Sequence, residues 1–152
     1  MTIHQSDYAK GIRQAPYPSE AGVAVAHRFS MQAPATLALN DILEIAPLPP
    51  GYRVRDVILD TDDLDGAGPA IVLDVGLMSG DVGSTDPART CGAEFLDAVT
   101  TAQAGGVVRP TLAKAFRTGV SDRARSIGIK VKTAAATPQA GTIGLTVIYA
   151  AD

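Results

Sequence analysis

Residues 143–149 read Ile143-Gly144-Leu145-Thr146-Val147-Ile148-Tyr149. Ile143, Leu145, Val147 and Tyr149 fall at every second position. Successive side chains of a β-strand point to opposite faces, so this period of two gathers four bulky groups on one side. Upstream, Ile127, Ile129 and Val131 alternate with Gly128 and Lys130. Ile71, Leu73, Val75 and Leu77 alternate in the same way with Val72, Asp74 and Gly76. These segments predict half-buried strands. Their inward face should include Ile71, Leu73, Val75, Leu77, Ile129, Val131, Leu145 and Val147.

Further out, Val23, Val25, His27 and Phe29 share one face of another candidate strand. Ile42-Leu43-Glu44-Ile45 is ended by Pro47-Leu48-Pro49-Pro50-Gly51, because proline has no N–H to give a ladder. Residues 52–60 carry Val54, Val57, Ile58 and Leu59 with broken alternation, which suggests cover on both faces. Residues 112–117 are ambiguous. Residues 93–101 predict the one short helix, from the spacing of Phe95, Leu96 and Val99, with Gly105-Gly106 ending it. Turn chemistry recurs every 10–15 residues, at Asp62-Asp63-Leu64-Asp65-Gly66, Ser79-Gly80-Asp81 and Pro138-Gln139-Ala140-Gly141. No βαβ rhythm is present. The expected fold is all-β: an antiparallel β-sandwich of jelly-roll type, with one short helix and an extended N-terminal arm.

The 152 residues fit a single domain over 21–152, preceded by an arm over 1–20. The arm is polar, carries Gly11, Pro16 and Pro18, and shows neither strand nor helix period. Tyr8, Ile12 and Tyr17 nevertheless give it apolar points to dock, which a purely solvating tail does not need. They are the candidate residues for contact with a neighbouring subunit.

Net charge is −3. A nucleic-acid binder draws most of its affinity from a basic surface, so DNA contact is not expected. The first fourteen residues hold no apolar run like that of a signal peptide, and no window reaches the roughly 20 apolar residues of a membrane span. The expectation is a soluble protein made in the cytoplasm, with no membrane partner.

Residues that could carry chemistry are few. Cys91 is the single cysteine, so no intramolecular disulfide forms, and no activating base lies near it in sequence. His4 and His27 lack metal-ligand spacing, and His27 reads as a packing residue. The loop Asp60-Thr61-Asp62-Asp63-Leu64-Asp65-Gly66 has the wrong register for an EF-hand type calcium site and reads as a turn. Arg117, Arg123, Arg125, Lys130 and Lys132 form a locally basic stretch that reads as a solvated face. No Gly-x-Ser-x-Gly elbow or phosphate loop is present. No enzymatic activity, cofactor or metal is therefore expected.

Three stretches resemble the small cement, or decoration, proteins encoded beside the major capsid protein in tailed bacteriophages. They are residues 39–54 (LNDILEIAPLPPGYRV), 56–65 (DVILDTDDLD) and 71–80 (IVLDVGLMSG); the ending Gly144-Leu145-Thr146-Val147-Ile148-Tyr149 is similar too. The resemblance implies a jelly roll that sits as a homo-oligomer, a dimer or trimer, on the outside of an icosahedral shell. Its partners would be the major capsid protein and other copies of itself. The competing readings are a tail, fibre or head–tail connector component with a β-sandwich and, further off, an enzyme or carbohydrate-binding module. The absence of Trp argues against sugar stacking.

Overall fold

The computed structural model describes residues 1–17, 20 and 22–151; Pro18 and Ser19 of the expected arm lie outside the described residues. Among the described residues, nine strands form two sheets. They are β1 (Ile3–Gln5), β2 (Ala24–Ala33), β3 (Ile42–Leu48), β4 (Tyr52–Thr61), β5 (Val72–Leu77), β6 (Leu96–Val99), β7 (Gly106–Val108), β8 (Arg125–Thr133) and β9 (Gly141–Ala151). One sheet runs β2-β9-β4-β7 and the other β1-β3-β8-β5-β6. Without β1, these are two four-stranded antiparallel sheets that exchange strands in the double Greek-key order of a jelly roll. β1 is an addition to that plan, laid parallel to β3 with Ile3 opposite Ile42 and Gln5 opposite Glu44.

The alternating segments build the core. Ile143, Leu145, Val147 and Tyr149 of β9 face Ile127, Ile129 and Val131 of β8 and Leu73 and Val75 of β5. Phe29, Leu43, Ile45, Val57 and Leu59 complete it, all fully buried. Seven of the eight expected inward residues are buried; Leu77, at the end of β5, is half-buried. The broken alternation of residues 52–60 has a local cause. A bulge between Val54 and Asp56 inserts one residue, so Val54 and Val57 both face inward although three positions apart.

Two segments depart from expectation. The helix expected over 93–101 is strand β6, paired with β5 through Leu73–Val99 and Val75–Leu96. Phe95 and Leu96 are both buried there, and Ala98 takes φ 54° at a register irregularity. Helical spacing over three apolar residues is matched equally by a bulged strand, and the open edge of β5 supplies the backbone partners. The helical content nearby is one 3-10 turn, Thr101–Gln103. The ambiguous segment 112–117 holds a second 3-10 turn, Ala113–Phe116, and is not a strand.

Candidate interaction surface

The N-terminal residues dock on their own chain. The Thr2 N–H donates to Asp41 Oδ1 at 2.6 Å and the Ser6 hydroxyl to the Ile45 carbonyl at 2.6 Å, on either side of β1. The chain then turns through the bonds Lys10 N to Ser6 O and Ile12 N to Asp7 O. Tyr8 drops its ring edge-on against Phe29, with centroids 4.8 Å apart, and its hydroxyl meets His27 Nε2 at 3.0 Å. His27 is thus the packing histidine its strand position suggested, half-buried between Tyr8 and Phe29. Further along, the Tyr149 hydroxyl donates to the Pro16 carbonyl, and Tyr17 packs edge-on to Tyr52.

The three candidate contact residues therefore separate. Tyr8 is half-buried, packed against Phe29 and His27, whereas Ile12 and Tyr17 remain 70% and 62% exposed. Between the arm and the sandwich end lies a groove of about 330 Å³. Its apolar lining comes from Tyr8, Ala15, Tyr17, the Pro47–Pro50 turn, Val82 and Ala124. An exposed rim of Ile12 and Tyr17 beside an open apolar groove is a surface suited to receive another chain.

One wall of this groove is set by an ion pair that sequence reasoning did not single out. Residues 78–95 fold back over the outer face of β3, β8 and β5. Gly76 and Gly128 make the room, because a Cβ at Gly76 would collide with the Gly92 backbone and one at Gly128 with Met78. Arg89 clamps the loop. Its guanidinium donates to both Glu44 oxygens at 2.8 and 3.0 Å, to Ser126 Oγ at 3.1 Å, and to the Ser79 and Ser84 carbonyls at 2.7 and 2.6 Å. Glu44 also accepts from Ser126 Oγ at 2.6 Å, Gln5 Nε2 at 2.9 Å and the Gly83 N–H at 3.2 Å. Both charged side chains are buried. Burial pushes the Glu44 carboxyl up, but the bonds from Arg89, Ser126, Gln5 and Gly83 outweigh it and hold it below its ordinary value. The only sequence signal was a glutamate inside the otherwise apolar Ile42–Leu48.

The remaining polar candidates are also occupied by structure. Asp65 is fully buried. Burial alone would raise its pKa; N–H donors of Thr137, Ala70, Ile71 and Ala136 overcome that and hold it to about 2. It ties the loop after β4 to the loop before β9. Among the described residues no group of three or more His, Cys, Asp or Glu side chains could hold a metal ion. The Cys91 thiol, mostly by burial, is pushed up to about 12, far from a reactive thiolate. His4 Nε2 lies 3.6 Å from Asp41. In the basic stretch, Lys132 bridges Asp97 at 2.9 Å and Asp74 at 3.4 Å, and Lys114 reaches Asp97 at 3.0 Å. Hydrogen bonds from Lys132 and Lys114 take Asp97 down to about 2.

A jelly roll whose buried charges bind down its own loops, and whose open groove is lined by proline and aromatic groups, has the makeup of a structural β-sandwich that works by its surface. Comparison with known proteins narrows this class. No family model and no curated protein matches the chain. A chain of the capsid of Ralstonia phage GP4 is 47% identical, with a TM-score of 0.94, over 99% of this chain and 98% of that one. A chain of the Cyanophage Pam1 capsid asymmetric unit is 27% identical with a TM-score of 0.64, over 92% and 93%. A chain of the acid-stable capsid of Helicobacter pylori bacteriophage KHP30 shares the fold, with 16% identity and a TM-score of 0.57. The chain belongs to the family of the Ralstonia phage capsid chain, and is a structural component of a bacteriophage virion.

Proposed function

We propose that this protein is a cement protein that binds the outside of a tailed-phage capsid and ties neighbouring major capsid protein subunits together. The observation that carries this reading is the likeness along almost the whole length of a capsid chain by a sandwich that closes its own core. A subunit with a complete core can be added to a shell already built. The resemblance of residues 39–54, 56–65 and 71–80 to cement proteins supports the same role. The net charge of −3 favours the exterior, since the lumen holds a polyanion that repels an acidic protein. The contact end is the groove between the arm and the Pro47–Pro50 turn, with Ile12 and Tyr17 on its rim. Each contact can be weak, because many copies acting together resist the outward pressure of packaged DNA.

The test is addition of purified protein to undecorated shells, read by co-sedimentation, cryo-electron microscopy and particle heat stability. Saturable density on the outer surface and particles that rupture at higher temperature are expected. Failure to bind, density on the inner surface, or binding to tails in place of shells would each overturn the reading.

A further inference from the structure

Residues 107–125 stand apart from the rest of the chain in charge. They hold five basic residues and one acid, a net charge of +4 in a chain of net charge −3, so the remainder carries −7. Tertiary contacts lay this segment along one side of the sandwich. Val108 pairs with Leu59, and the Arg109 guanidinium meets Asp56. The Ser121 carbonyl accepts from the Gly51 N–H at 2.8 Å, and the Arg125 guanidinium donates to the Tyr52 carbonyl at 3.5 Å. The chain thus returns beside β4 from near its end to the turn before it, where Ala124 lines the groove with Pro49 and Pro50.

The segment is packed inside out. Its small residues Ala115 and Thr118 are buried, whereas Leu112, Phe116 and Val120 are 46%, 51% and 46% exposed. A loop that only capped the side of a sheet would turn its large apolar groups inward, where they leave water. At every fourth residue of a chain held beside β4, these three give an apolar strip that leads to the groove. The basic groups divide in the same way. Arg109, Lys114 and Arg125 are held by Asp56, Asp97 and the Gly119 and Tyr52 carbonyls. Arg117 and Arg123 are exposed and make neither an ion pair nor a side-chain hydrogen bond among the described residues.

We propose that this strip seats an acidic, extended segment of the major capsid protein, whose apolar side chains cover Leu112, Phe116 and Val120 and whose carboxylates pair with Arg117 and Arg123. This rests on the reading of the protein as a cement protein and names the chemistry of the shell surface it recognises. A planar guanidinium matches a carboxylate through two parallel hydrogen bonds. A phosphate backbone is bound chiefly through charge and would leave the apolar groups uncovered, so nucleic acid fits the strip poorly. The strip is also continuous with the groove through Ser121 and Ala124, so one extended chain can lie across both. The charge division orients the approach. Acidic groups on the shell draw in the +4 segment and repel the remainder at −7, so the strip arrives first.

The test uses undecorated shells and the full chain. Arg117→Glu combined with Arg123→Glu should weaken co-sedimentation at least about tenfold and flatten the salt dependence of wild-type binding between about 50 and 500 mM. Both side chains are exposed, so Tm should stay within about 2 °C. Phe116→Ser should weaken binding and leave the salt dependence in place. Placement is read independently. With Arg117→Lys and Arg123→Lys, a carbodiimide should join the new amines to Asp or Glu side chains of the major capsid protein, located by mass spectrometry. Wild-type protein that binds shells, with charge-reversed and Phe116→Ser variants that bind equally well, would overturn the strip and leave the cement reading standing. Wild-type protein that binds no shell would overturn both. Cross-links to a second copy alone, or capture of DNA or phosphatidylglycerol vesicles through the same arginines with shell binding unchanged, would also overturn the strip.

Discussion

Replacing Arg89 with Met tests whether the buried clamp holds the loop over the outer sheet. Met approximates the length of the arginine stem and removes the charge. Glu44 then keeps three donors, from Ser126, Gln5 and Gly83, and loses its only countercharge. Breaking a buried ion pair from one side costs about 3–5 kcal/mol, and the three surviving donors put this case near the lower figure. At roughly 2–4 °C per kcal/mol for a chain of this size, Tm should fall by about 6–12 °C at pH 7. The deficit should depend on pH. In the native protein the folded pKa of Glu44 lies below its unfolded value, so its contribution is present above about pH 4.3 and is lost on acidification. In the variant, burial without the guanidinium raises the folded pKa above the unfolded one. The penalty on the charged form is then largest at neutral pH and shrinks as pH falls towards about 4.3. Thermal scans from pH 8 to 4, with hydrogen exchange of residues 78–95, read both effects. A Tm change under about 2 °C at pH 7, or a deficit that grows on acidification, would refute the argument. Adding Glu44→Gln removes the stranded charge and should restore at least about 1 kcal/mol.

Gly76→Ala should displace the same loop by a steric route, since the new Cβ meets the Gly92 backbone; a loss of about 1–3 kcal/mol in urea unfolding is expected. Asp65→Asn should flatten the acid limb of the stability curve. The folded pKa of about 2 lies below the unfolded value near 3.9, so wild-type stability from this group is complete above that value and lost as pH falls towards 2, as acid titration by fluorescence or circular dichroism would show. Ile12→Asp combined with Tyr17→Asp alters exposed side chains, so Tm should move by no more than about 2 °C. The same pair should weaken shell binding at least tenfold in co-sedimentation, and unchanged binding would remove this rim from the contact.

The sequence by itself determined the fold class and most of the core. Alternation in residues 71–77, 127–131 and 143–149 is a local property, imposed by the strand's own geometry, and burial follows from it. A link to bacteriophage capsids was legible in strings such as LPPGYRV and LDVGLMSG, which point to ancestry without naming a contact. Tertiary structure decided what depends on partners distant in sequence. Residues 96–99 became a strand because the β5 edge lay open beside them. Glu44 and Arg89 are 45 positions apart, and Asp65 meets Thr137 across 72, so no local pattern could pair them. Tyr8, Ile12 and Tyr17 look alike in sequence, yet the fold half-buries the first against Phe29 and leaves the other two mostly exposed. That division follows from where the chain turns after β1, which only the assembled sandwich sets.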